Sequence, residues 1–102
     1  MLIDDIDIAS NKPVRKPNGR RVSAIPTDPG YRLYCELHGD GKKILVFLNG
    51  KATKGTETAD EREGFVYGPI ITAEGNLAFD PNLGVFLYET LYGDVRLEIK
   101  DA

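Results

Sequence analysis

The chain has 102 residues, of which 41% are hydrophobic and 28% are charged, and these fractions are typical of one globular domain. Its 13 basic and 16 acidic side chains leave a net charge of −3, which favours neither nucleic acid nor an anionic membrane as a partner. A single cysteine excludes an internal disulfide. The sequence shows neither a basic leader nor about 20 consecutive apolar residues, so we expect a cytoplasmic protein with no membrane partner.

The N-terminal part is predicted to contain a basic loop next to a short strand. LIDDIDI, residues 2–8, suits a strand or a helical turn, and we prefer the strand. SNKPVRKPNGRR, residues 10–21, contains two prolines and is predicted to be a mobile loop. RRVSAI is a strand candidate at 20–25, and the Asp-Pro pair of TDPG predicts a tight turn at 27–30.

The middle of the chain begins with a predicted β-hairpin at 31–49. Apolar and polar side chains alternate through YRLYCELH, as in a half-buried strand, and the turn GDGK follows. KILVFLN, residues 43–49, is apolar on both faces and predicts a central strand. Asn49 and Gly50 form a pair that favours the turn ending this strand.

A polar segment and a second predicted hairpin come next. Residues 51–64 hold little apolar surface, so we expect a mobile loop with its carboxylates in solvent. These carboxylates are Glu57, Asp60, Glu61 and Glu63. FVYGPIIT and NLAF flank AEG, where Gly75 permits a hairpin turn. Pro69, within the first of these segments, predicts an edge, a bulge or a strand start. FDPN predicts another Asp-Pro turn at 79–82.

The C-terminal segments are predicted to be two strands joined by Gly93 and Asp94. GVFLYETLY, residues 84–92, is rich in β-branched and aromatic residues, although its spacing also suits a short helix. In VRLEIK, residues 95–100, apolar and charged side chains alternate, which is typical of a strand with one buried face. Together these elements predict an all-β fold over 1–102, a small single-domain antiparallel β-sandwich or barrel of about six to eight short strands.

The only cysteine and the only histidine lie close together, but the predicted strand separates their side chains. Cys35 and His38 are three residues apart, and an odd separation in a strand places side chains on opposite faces. We therefore expect Cys35 to be buried with Leu33 and Leu37 and His38 to face solvent. A metal site needs three or four converging ligands, and a Cys–His nucleophile needs the two side chains to meet. The sequence accordingly predicts no catalytic residue, no metal and no cofactor.

Five cations stand close together in a chain that is acidic as a whole. They are Lys12, Arg15, Lys16, Arg20 and Arg21, with no acidic residue between Asp7 and Asp28. This basic arm suits a phosphate backbone or an acidic partner, although it lacks the interleaved aromatics typical of single-strand binding. Tyr34, expected on the exposed face of the first hairpin, is the candidate stacking residue. These six side chains are the predicted partner-binding residues, with a solvated basic loop as the alternative.

Two functions remain compatible with the sequence. The first is a small soluble non-enzymatic β module that binds another protein through surface loops or an exposed sheet edge, where a second copy could also pair to give a homodimer. The alternative is a nucleic-acid-binding small β-barrel that uses the basic arm 12–21. An enzyme is disfavoured, because the chain has one histidine and no catalytic motif.

Overall fold

The computed structural model describes residues 12–102, so the predicted strand at 2–8 lies outside the described residues. The elements, in chain order, are β1 (Arg21–Ser23), α1 (Tyr31–Gly39), β2 (Lys42–Leu48), β3 (Lys51–Ala52), β4 (Thr58–Asp60), β5 (Phe65–Pro69), β6 (Phe79–Asp80), β7 (Val85–Phe86), β8 (Tyr88–Tyr92) and β9 (Val95–Asp101). The strands form three antiparallel sheets beside one short helix, which confirms the predicted all-β class. The helix of the described residues, α1, has 9 residues and is too short to span a membrane.

Two of the sheets provide the framework of the fold. The larger has the strand order β1-β4-β5-β8, and the second has the order β3-β2-β9. β2 and β9 pair along their whole length, from Lys42 opposite Asp101 to Leu48 opposite Val95. β2 is therefore the central strand of its sheet, as its two apolar faces predict. The third sheet is the small hairpin of β6 and β7.

The hydrophobic core combines side chains from both large sheets. Its buried members are Val22, Ala59 and Val66 from the four-stranded sheet and Val95 and Leu97 from β9. The alternation predicted for 95–100 is confirmed, because Val95 and Leu97 are buried while Arg96 and Lys100 are exposed. Partly buried side chains of α1 and β2 pack around this cluster: Leu33, Tyr34, Ile44, Val46 and Leu48.

The predicted hairpin at 31–49 is wrong in its first half, because residues Tyr31–Gly39 form a helix. The segment contains no β-branched residue, whereas its Leu, Arg and Glu residues favour helix. Leu33, Tyr34 and Leu37 also lie at helical spacing, and in the helix Leu33 and Tyr34 pack against the core cluster. The Asp-Pro turn before it is confirmed, and it leads directly into the helix through a bond from the Tyr31 N–H to the Asp28 carbonyl, at 3.0 Å.

Several turns and strands lie where the sequence predicts them. Asn49 and Gly50 form the two-residue turn between β2 and β3, and both have a positive φ, of 51° and 82°. The hairpin around Gly75 is confirmed by the antiparallel bridge between Ile71 and Leu77. Residues 84–92 form strands, so the helical alternative is wrong there. Pro69, for which the sequence predicts an edge, a bulge or a strand start, is the last residue of β5.

Candidate functional site

Two cations of the basic arm attach the loop to the body of the protein. Arg15 Nε lies 3.3 Å from the Glu63 carboxylate, and both side chains are largely exposed. The Lys16 ammonium donates to the Val95 carbonyl at 2.8 Å and also pairs with Asp94. Lys12 is exposed at the start of the described chain.

The remaining cations, Arg20 and Arg21, pair with carboxylates that are buried or half-buried. Arg20 Nε lies 3.3 Å from Glu61 Oε1, and Arg21 bridges Asp28 and Asp60 at 2.7 and 2.9 Å. The hydrogen bonds from Arg21 hold the pKa of Asp28 below its usual range, against the opposing effect of burial. The same carboxylates raise the pKa of Arg21. Four of the five cations are thus engaged within the chain, and their role towards a partner stays a prediction.

Tyr34 lies on the helix and contacts other aromatic rings of α1. Its ring centroid is 6.1 Å from that of Tyr31 and 4.3 Å from the imidazole of His38. The side chain also packs against the core cluster. The expected position on the exposed face of a hairpin is therefore wrong, because the residue belongs to a helix.

The prediction that Cys35 is buried is also wrong. The side chain is exposed, because residues 31–39 are helical and the parity of a strand does not apply. Residues three apart on a helix share one side, so Cys35 and His38 are neighbours on the same surface. A hydrogen bond with Cys35 raises the pKa of Tyr31. Among residues 12–102, no group of three His, Cys, Asp or Glu side chains is arranged to hold a metal ion.

The carboxylates of 51–64 do not share one environment. Asp60 and Glu61 are buried, at 4% and 8% exposure, which contradicts the expectation that they face solvent. β4 pairs with β1 on one side and β5 on the other, and this places Asp60 and Glu61 next to Arg21 and Arg20. Glu63 is exposed, as expected.

The most unusual surface of the described chain is an apolar arm, defined here as residues 77–92. Ten large hydrophobic side chains are exposed in the described chain, and nine of them belong to this arm. They are Leu77, Phe79, Leu83, Val85, Phe86, Leu87, Tyr88, Leu91 and Tyr92. Single exposed apolar residues are normal on any protein, whereas a contiguous group marks an interaction surface.

Backbone hydrogen bonds give the apolar arm a defined shape. Beyond β5 and β8 the pairing continues from Ile70 N–H to the Leu87 carbonyl, at 2.9 Å. Ala78 then donates to Ile70 at 2.9 Å and accepts from Leu87 at 3.0 Å, which ties the arm together. At the tip, the β6–β7 hairpin places the rings of Phe79 and Phe86 5.2 Å apart, edge to face. Apart from Leu83, which lies in the turn between β6 and β7, the exposed side chains are therefore held on hydrogen-bonded segments.

Where the arm joins the sheet, aromatic side chains line one face. The Tyr67 and Tyr88 rings are stacked with centroids 5.5 Å apart, and those of Phe65 and Tyr92 are 6.4 Å apart. A hydrogen bond with the Glu57 carboxylate raises the pKa of Tyr88. The aromatic surface thus extends from the exposed arm onto the four-stranded sheet.

The charge of this region is one-sided. Residues 65–92 contain no lysine, arginine or histidine, and their ionisable acids are Glu74, Asp80 and Glu89. This surface was not predicted from the sequence, because an apolar strand pattern usually indicates burial. The useful signal was the combination of apolar residues at consecutive positions in LGVFLY with the absence of any cation.

Comparisons with known proteins add no relationship. No protein-family model, no curated protein and no solved structure matches this chain.

Proposed function

We propose that this protein is a non-enzymatic β module that binds another protein through the apolar arm. The observation that carries the proposal is the concentration of nine exposed hydrophobic side chains in residues 77–92. Burying one such side chain fully contributes about 1.5–3 kcal/mol, so a few of them are enough for specific recognition.

The edge of β8 offers backbone groups to such a partner. β8 is the last strand of its sheet among the described strands, and it pairs only with β5 there. Pro69 lies opposite Tyr88 and has no N–H, so the hydrogen-bonded pairs are Gly68–Glu89 and Val66–Leu91. The N–H and C=O groups of Thr90 consequently point away from β5, towards the open edge. An added partner strand would pair with them.

Charge complementarity defines the kind of partner. Because residues 65–92 carry acids and no cation, the arm favours an apolar segment that contains lysine or arginine. The same charge disfavours nucleic acid and disfavours pairing of the arm with itself. The β9 edge is different, since its exposed Arg96 and Lys100 are the kind of charged residues that protect an edge strand from pairing.

A pair of designed peptides tests the proposal. The probe is a ten-residue peptide of alternating Lys and Val, and its control replaces every Lys by Glu. We expect the Lys peptide to shift the amide NMR signals of 77–92 and the Glu peptide to leave them unchanged. Shifts confined to 12–21, or equal effects of the two peptides, would contradict the proposal.

A matched pair of variants localises the binding. Phe86→Asp and Val14→Asp each put a carboxylate in place of an exposed apolar side chain, at 51% and 44% exposure, but only Phe86 is in the arm. We expect Phe86→Asp to weaken binding of the Lys peptide at least about tenfold and Val14→Asp to change it less than about twofold. A wild-type dimer in light scattering that Phe86→Asp dissociates would instead identify a second copy as the partner and overturn the proposed basic segment.

A further inference from the structure

A separate cavity lies under the helix α1. It has a volume of about 480 Å³, and it is bounded by α1, by the first half of β2 and by β1 and β4. Its apolar lining comes from Val22, Ile44, Val46 and Ala59, with the Tyr34 ring as a further wall. Pockets for small molecules occupy about 300–1,000 Å³ and have a similarly apolar lining, so this cavity is large enough for one.

One end of the cavity is lined by residues with basic or uncharged side chains, namely His38, Gly41, Lys42, Lys43 and Ala102. His38 lies near the end of α1 and Lys42 begins β2, so the short turn between them brings both to the same rim. Lys42 shares a face with Ile44 and Val46, because side chains alternate along a strand. Its ammonium pairs with Asp101, whose side chain is 87% exposed and is easily displaced by a competing anion.

One acidic side chain also lines the cavity. Glu57 contributes to the wall, but its carboxylate already accepts a hydrogen bond from Tyr88. The lining therefore contains one side-chain carboxylate, that of Glu57, which is already bonded to Tyr88. Its basic side chains Lys42 and His38 lie at the turn between α1 and β2.

From this arrangement we propose that the cavity binds a small apolar carboxylate. Its hydrocarbon part would pack on the apolar lining, and its carboxylate would meet the Lys42 ammonium and the His38 imidazole at the rim. The inference is independent of the apolar arm, because none of the residues 77–92 lines the cavity.

Decanoate is the test ligand, and decanol, which has the same chain without the charge, is its control. In a titration followed by NMR, decanoate should shift the amide signals of 38–46 and of Ala59. We expect Lys42→Gln to weaken the binding of decanoate at least about fivefold, because the charged hydrogen bond is lost. The affinity for decanol should change by less than about twofold. Lys51→Gln removes an exposed lysine on β3 that is not part of the lining, and it should leave both ligands unchanged.

A blocking variant gives a second measurement. Ala24 is exposed at the rim of the cavity, and Ala24→Trp should fill the entrance and reduce binding of both ligands, with unchanged circular dichroism showing that the fold is intact. Phe86→Asp should leave decanoate binding unchanged, which separates this inference from the proposed function. The inference is overturned if decanoate produces no shifts, if its shifts lie in 77–92, or if Lys42→Gln and Lys51→Gln weaken it equally.

Discussion

Glu61 connects three segments that are far apart in the chain. Its Oε1 accepts from the Arg20 N–H at 3.0 Å, and its Oε2 accepts from the Leu97 N–H at 2.8 Å. Burial raises the pKa of Glu61, but the hydrogen bonds from Leu97 and Arg20 and the nearby Arg20 charge lower it by more. The ionised carboxylate therefore stabilises the fold and fixes the basic loop against β9.

Replacing this carboxylate should cost stability at neutral pH. We expect Glu61→Gln to lower the free energy of unfolding by about 2 kcal/mol, since a neutral amide replaces a charged acceptor of buried N–H groups. The matched control is Glu63→Gln, whose exposed ion pair with Arg15 should contribute less than about 1 kcal/mol. Urea unfolding of the three proteins at pH 7 gives the comparison, and equal losses in the two variants would contradict the assigned role.

The same residue predicts how stability depends on pH. Because the folded pKa of Glu61 is below its ordinary value of about 4.3, its contribution is complete only about one pH unit above that value, and it is lost as the pH falls through the folded value. Asp28 acts in the same direction, because its pKa is also lowered. Unfolding measured from pH 7 to pH 3 should show stability decreasing below about pH 5, less steeply in Glu61→Gln. A parallel decrease in both proteins would show that Glu61 is not responsible.

Cys35 gives a direct check of the helix. Since the thiol is exposed on α1, we expect a disulfide reagent such as 5,5′-dithiobis(2-nitrobenzoate) to modify it in the native protein. The rate should be within about tenfold of that in denaturant, because little protection is available. Protection by several orders of magnitude would support the buried strand position expected from the sequence and contradict the helix.

At the scale of single elements, substitutions at two glycines distinguish the effect of backbone strain from the effect of packing. A Cβ added at Gly50 or at Gly39 meets no atom within 4 Å, but only Gly50 has a positive φ, of 82°. We therefore expect Gly50→Ala to destabilise the protein by about 1 kcal/mol, through strain in the turn between β2 and β3. Gly39→Ala, at the end of α1, should be neutral or stabilising. Thermal unfolding measures both, and similar effects would argue against the turn conformation.

Elements with a clear period or a defined turn pair could be predicted from the sequence. β9 has strict alternation, and Asn49-Gly50 has few alternative conformations, so both were located correctly. Residues 31–39 were not, because Tyr31, Leu33, Cys35 and Leu37 fit a period of two while Leu33, Tyr34 and Leu37 fit the helical period. Packing of the helix against the core decides between these patterns, and that contact is not visible in a local window.

The candidate site was harder to predict than the fold. Asp60 and Glu61 lie in a polar sequence, and their burial depends on the pairing of β4 with two other strands. Residues 84–92 were correctly assigned to strands, but their exposure depends on which strands of the described chain lie beside them. Local patterns identify an apolar strand, whereas only the assembled sheets show whether it is covered.

For the whole molecule, the distribution of apolar side chains predicts unequal local stability. The core cluster joins the two large sheets around Val95, which is completely buried, and none of the described residues 70–87 belongs to it. The β6–β7 hairpin is held mainly by its own hydrogen bonds and by the contact between Phe79 and Phe86. Segments with few buried contacts open at a lower free energy than the global unfolding of the protein.

Hydrogen exchange followed by mass spectrometry measures this difference. We expect amides of β2 and β9 to exchange only through global unfolding and amides of 70–87 to exchange at least about 100-fold faster. The peptide of alternating Lys and Val should slow exchange in 77–92, because a bound partner covers the arm and pairs with the β8 edge. Decanoate should instead slow hydrogen exchange in residues 38–46. Protection of 70–87 as high as that of β9 in the free protein would mean that the arm is already covered, and the surface on which the proposed binding depends would not be available.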